Sequence, residues 1–329
     1  MKTFVFESLF ERGFITEKTL QNILTKENDK AVPLHTELKL LMYAGIIFLT
    51  TGLGILIYKN IDSIGHLAIV IAISAATVIC FLFCYRKAPA FSKIKTTQTN
   101  VIKDYTLLLG CLLLLVLTGY LQFQYQLFGE RWGMATFIPM IILFVAAYYF
   151  DHLGVLSMGI VNLAAWAGIS VTPRHLLRSN DFNNSTLIYT ATVLGLFLLF
   201  AGYISLKKNI KAHFEFTYKN FGIHILFIAA IAGIIHFSQY ELLWLIFLAG
   251  ISLWQFLIAV KEKSFYFLIV VYLYFYFGVS YVVVKWLFFS YQGEFSLYSL
   301  FLYFIITAGL SVVLLIRYNK NLKQHEYIQ

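Results

Sequence analysis

Residues 265–289 read FYFLIVVYLYFYFGVSYVVVKWLFF, a run that carries one charge, Lys285, and opens directly behind Lys261, Glu262, Lys263 and Ser264. At 1.5 Å per residue a helix of this length runs about 37 Å, enough to cross the roughly 30 Å of bilayer hydrocarbon. The run is continuously apolar, without alternation of period two, so it does not read as a barrel strand. In lipid each backbone N–H and C=O must then be satisfied inside its own segment, which a helix does.

The same reading repeats along the chain. Apolar blocks fall at about 38–58, 65–85, 105–124, 133–150, 153–171, 186–205, 218–237, 242–260 and 297–316, which with 265–289 makes ten spans. The fold expected is an all-α polytopic bundle over 37–317. It follows a polar helical hairpin at 1–36, in which Phe4 to Glu11 and Thr16 to Leu24 are amphipathic, and it precedes a tail at 318–329. No apolar core follows the basic start closely enough for a signal peptide, so the N-terminal segment is expected to remain.

Composition agrees. Charged residues are 12% of the chain, about half of what a soluble domain carries, and hydrophobic ones are 60%. The net charge of +9 is spread over the breaks between blocks. Nucleic acid, which needs basic residues gathered on one soluble face, is therefore not an expected partner. Membrane lipids are. If the N-terminus is cytoplasmic, twenty of the Lys and Arg residues fall on that side and four, Lys59, Arg131, Arg174 and Arg178, on the other, with Lys285 inside a span. Retention of positive charge in cytoplasmic loops makes this the expected orientation, both ends inside.

A resemblance adds to this. Leu38 to Gly45, continuing through Gly52, Gly54 and Tyr58 to Gly65 and His66, is similar to a bacterial multi-pass family, domain-of-unknown-function family 2157. So are Phe150 to Ser157, Asn162 to Trp166, and Thr172 with Pro173. The resemblance implies a bacterial cytoplasmic membrane and a short cytoplasmic segment ahead of the spans, over most of the chain. It implies no activity.

Polar groups within or beside the apolar blocks are the candidate sites, because an ionisable side chain at mid-membrane costs roughly 2.5–3.5 kcal/mol on the insertion scale. Lys285 is expected to snorkel to the outer interface. His224 is deep enough to need a partner, and a hydrogen bond between helices outweighs a proton relay. Asn162 is the most central polar side chain and reads as glue between helices before substrate contact. Tyr272 and Tyr276 share one face of their span, either lining a polar groove or bonding to neighbouring backbones, the second favoured. Asp151 and His152 form an ionisable pair at a tight turn; Asp151 reads first as the N-cap of the fifth span, and the pair is the first choice if any chemistry is present. Arg131 and Arg174 could hold an anionic headgroup.

Other features read as packing. Cys80, Cys84 and Cys111 lie in apolar blocks and behave as small buried hydrophobes rather than as thiolate ligands, and no metal or cofactor is implied. Ala164 with Gly168, and Ala229 with Gly233, allow close helix contacts. Gly45 and Gly54 are separated as Gly110 and Gly119 are, a faint repeat that chance also produces.

Three functions compete. A transporter-like or lipid-handling protein comes first, although no acidic group lies in the spans as ion-coupled carriers need. A scaffold or sensor whose N-terminal segment binds a cytoplasmic protein comes second. An intramembrane enzyme using Asp151, His152 or His224 comes last, since no nucleophile or phosphate loop accompanies them.

Overall fold

The computed structural model describes residues 34–59, 65–88, 91–96, 101–171, 184–290 and 294–324, together with Thr16, Glu17 and Thr19. Its helices are α1 Leu34–Lys59, α2 His66–Arg86, α3 Val101–Tyr125, α4 Trp132–Phe150, α5 Leu153–Val171, α6 Ser185–Lys207, α7 Glu215–His236, α8 Glu241–Lys261, α9 Phe265–Ser290 and α10 Glu294–Gln324. Two short 3-10 turns, Ala212–Phe214 and Ser238–Tyr240, lead into α7 and α8. No strand occurs among the described residues. Nine of these helices are long and apolar enough to cross a membrane, and the apolar stretch Leu40–Leu56 lies within α1. The expected spans are thus all present as helices. Most of the hairpin at 1–36 and residues 325–329 of the tail lie outside the described residues, while α10 carries helix through 318–324.

The chain divides into two compact units. The first comprises 1–87 and 99–117, that is α1, α2 and most of α3; the second comprises 88–98 and 118–329.

In the first unit α2 buries Ile69, Ile73, Thr77, Cys80 and Cys84 on one helical face. Facing residues of α3, Leu107, Leu108 and Cys111, are buried as well. Contact is close at Gly110, where an added Cβ would stand 2.9 Å from that of Cys80. The three cysteines are free and buried, and Cys84 Sγ donates to Lys103 O at 3.5 Å. Among the described residues Gly45 and Gly54 have no neighbour at the Cβ position, unlike Gly110, so the repeated glycine spacing marks no shared contact there.

In the second unit consecutive helices pack as antiparallel neighbours, and α7 lies at the centre, touching α5, α6, α8 and α9. Its buried residues Ile223, Leu226, Phe227, Ala230 and Ile234 form the core with Leu248 and Ile251 of α8 and Phe267, Leu268 and Val271 of α9. Lipid is as apolar as this core, so close packing rather than hydrophobic burial must hold the helices together. Glycines provide it. A Cβ on Gly195 would stand 2.9 Å from Leu226 N, and one on Gly222 would stand 3.1 Å from Gly195 O, which brings the backbones of α6 and α7 into contact. Gly233, expected from the sequence as a packing position, lies beneath the Trp244 ring. Gly168, the other, makes only ordinary contact with Leu187.

Candidate functional site

Two polar assemblies stand out in the second unit. The first surrounds the turn between α4 and α5. Asp151 ends α4 in the left-handed conformation, φ 59° and ψ 47°, which Asp tolerates better than most residues, and its N–H bonds to Ala147 O. His152 N bonds to the same carbonyl, and His152 Nδ1 accepts from Val155 N at 3.1 Å. The α5 cap is therefore His152, correcting the expectation that Asp151 caps it. The left-handed turn instead frees the Asp151 carboxylate for another task.

That carboxylate is almost wholly buried and gathers donors from two other connections. Thr96 donates to Oδ2 from N at 2.6 Å and from Oγ1 at 2.8 Å. Lys211 Nζ lies 3.2 Å from Oδ2 and His213 Nε2 lies 2.7 Å from Oδ1. Lys211 is itself pinned: its N–H donates to Lys93 O, its Nζ to Ile94 O, and its carbonyl accepts from Ser205 Oγ. Burial alone pushes the Asp151 carboxyl up, but the Thr96 N–H and hydroxyl, the Lys211 ammonium and nearby His213 outweigh it and hold the carboxyl below the usual range. The assembly joins three connections through one buried carboxylate; it is a clasp. The pair Asp151 and His152 is divided by it, one residue in the ion cluster and the other capping a helix.

The second assembly lies between α7 and α9. His224 Nδ1 is 2.8 Å from Tyr274 Oη and its Nε2 is 3.4 Å from Tyr266 Oη, which donates to Asn220 Oδ1 at 2.7 Å. Asn220 and His224 are one turn apart on α7, and Tyr266 and Tyr274 are two turns apart on α9, so each helix presents one polar edge. The bond between helices expected of His224 is present. Beside it runs a groove of about 580 Å³, lined by His224, Ile228, Ile231 and Ile235 on α7 and by Leu273, Tyr274 and Phe277 on α9. The groove is apolar along its length and polar at the His224 end.

The remaining candidates fall elsewhere. Asn162 Nδ2 donates to Met158 O, one turn back in its own helix, at 3.2 Å, rather than across to another as expected. Tyr272 and Tyr276 bond not to backbone but to hydroxyls of α10, Ser311 and Thr307, and Ser280 with Tyr303 makes a third such pair. Lys285 is paired with Glu241 at the start of α8, both half-buried, so it does not simply snorkel. Arg131 is exposed just ahead of α4, and Arg174 with Arg178 lies outside the described residues. Among the described residues no group of three or more His, Cys, Asp and Glu is arranged to hold a metal ion.

Sequence reading missed Thr96, Lys211 and His213 because Lys211 counted there only as a loop charge. Asn220 was also missed, although its spacing from His224 could have found it.

These features define a multi-pass α-helical membrane protein. Residues 7–156 match the model of the family described as Predicted membrane protein (DUF2157), which covers the first of the resembling stretches and ends inside the second, so Asn162 to Trp166, Thr172 and Pro173 lie beyond it. No curated protein and no solved structure matches the chain.

Proposed function

We propose that the protein handles a lipid, holding its apolar chain in the groove between α7 and α9 with its polar end at His224, Tyr266 and Asn220. The observation that carries this reading is the groove itself, long and apolar with one hydrogen-bonding end. Lipid-facing grooves of this form suit an amphiphile, whose chain needs no partner and whose head needs several. The lack of an acidic group among the described residues that line the groove favours lipid-like or facilitated cargo over an ion-coupled substrate. The Lys- and Arg-rich end, which carries the clasp, is assigned to the cytoplasm of a bacterial inner membrane.

Native mass spectrometry of protein gently extracted from its own membrane tests the reading. A lipid retained at one per chain, and lost from Ala232→Trp, which puts an indole into the groove that Ala232 lines, is the expected result. Wild type and Ala232→Trp carrying the same lipids in the same amounts would overturn it.

A further inference from the structure

A second cavity, of about 260 Å³, lies between α8, α9 and α10. Its walls include Ala249, Ser252 and Phe256 of α8, Tyr272 and Phe275 of α9, and Tyr318 of α10. Four of the nine lining residues are aromatic, and Phe256 meets Tyr318 edge to face at 5.6 Å. The volume is below that of sites for drug-sized ligands, so it suits a single ring rather than a whole lipid.

Ser252 is the anomaly. It is 7% exposed, and its Oγ has no hydrogen-bond partner among the described residues. A hydroxyl within a helix ordinarily turns back to the carbonyl one turn earlier. Thr77, Thr106, Ser157, Thr190 and Thr192 of this protein all do so. Ser252 does not, although the residue is one of those that line the cavity. The nearby Tyr272 hydroxyl is engaged with Ser311, which leaves Ser252 as the hydroxyl that α8 contributes to the lining. In a medium without water such a group is costly until something bonds to it.

We propose that this cavity binds the ring of a quinone-type molecule dissolved in the membrane. A ring carbonyl accepts from Ser252 Oγ, aromatic side chains flank the ring, and the tail runs out into lipid. A flat ring suits aromatic walls, and a carbonyl acceptor suits a wall whose unsatisfied group is a hydroxyl donor. The proposal uses none of the polar chain at His224 and stands whether or not the α7–α9 groove holds a lipid.

The full-length protein in nanodiscs is titrated with decylubiquinone, and with decylbenzene as a ring of the same tail without carbonyls, bound molecules being counted by native mass spectrometry. The quinone should saturate at one per chain and decylbenzene should bind more weakly. Ser252→Ala should weaken the quinone by up to about tenfold, the loss of one hydrogen bond, while leaving decylbenzene unchanged. Ser252→Thr should restore binding, and Ala249→Phe should abolish it for both. No saturable quinone binding would overturn the proposal, as would equal affinity for the two rings, or a Ser252→Ala protein that binds the quinone as wild type does. The last result would mean that the hydroxyl merely rotates to its own helix.

Discussion

Lys211 Nζ stands 3.2 Å from Asp151 Oδ2, and the two side chains are 1% and 2% exposed. Removing one partner of such a pair leaves an uncompensated buried charge, which costs about 3–5 kcal/mol. Asp151→Asn and Lys211→Met should each lower the thermal midpoint in detergent clearly. The double variant should recover part of the loss, because no lone charge remains. Strict additivity of the two effects would show that they do not interact.

Acid should open the same clasp. The Asp151 carboxyl is held below the usual range, so its contribution is fully present above the unfolded value of about 3.9 and is lost as pH falls through the lower folded value. Thermal midpoints measured from pH 6 downward should fall below about pH 4, and the difference between wild type and Asp151→Asn should shrink there. A constant difference across that range would contradict the assignment.

The two backbones that touch at Gly195 tolerate no added carbon. Gly195→Ala places a Cβ against Leu226 N and should destabilise by about 1–3 kcal/mol through overpacking. Gly250→Ala has open space and should be neutral or slightly stabilising, from helix propensity alone. Equal midpoints for the two variants would mean that α6 and α7 are not packed this closely.

Single cysteines read the orientation. Cys80, Cys84 and Cys111 are buried, so a membrane-impermeant maleimide should leave wild type unlabelled in intact cells. Gln239→Cys, ahead of α8, should label from outside, and Lys263→Cys, after it, only once the membrane is opened. The reverse pattern would invert the assignment of the basic end.

The hydroxyl pairs between α9 and α10 should couple measurably. In double-mutant cycles Tyr276→Phe with Thr307→Val should show about 0.6 kcal/mol of interaction, the usual scale for hydrogen bonds between membrane helices. A coupling of zero would mean that the pair is incidental.

The spans were legible because hydropathy over twenty residues decides them, and even the tight turn at Asp151 and His152 lay between helices as read. Side-chain partners were not. The sequence shows that Asp151 sits beside a helix start, yet a left-handed turn hands the capping task to His152 and sends the carboxylate to Thr96 and Lys211. Nothing in the local pattern brings those connections together. Asn162 is a simpler case: a polar group at mid-membrane needs a partner, and its own helix offered one. His224 was read correctly as needing a partner, while the identity of that partner, Tyr274, depended on how α7 and α9 meet.

The seam between α9 and α10 is keyed like a lock, each rung pairing a tyrosine with a short hydroxyl side chain. Tyr272 with Ser311, Tyr276 with Thr307, and Ser280 with Tyr303 advance by one turn along α9 as they retreat by one along α10. Sliding α10 by about 6 Å, four residues of rise, would set Tyr276 opposite Ser311 but Ser280 opposite Thr307, two short side chains where every present rung has a tyrosine, so one rung of the three would survive. Any smaller slide breaks them all. Helix α10 is thus keyed to α9 in one register, which a shift in either direction gives up.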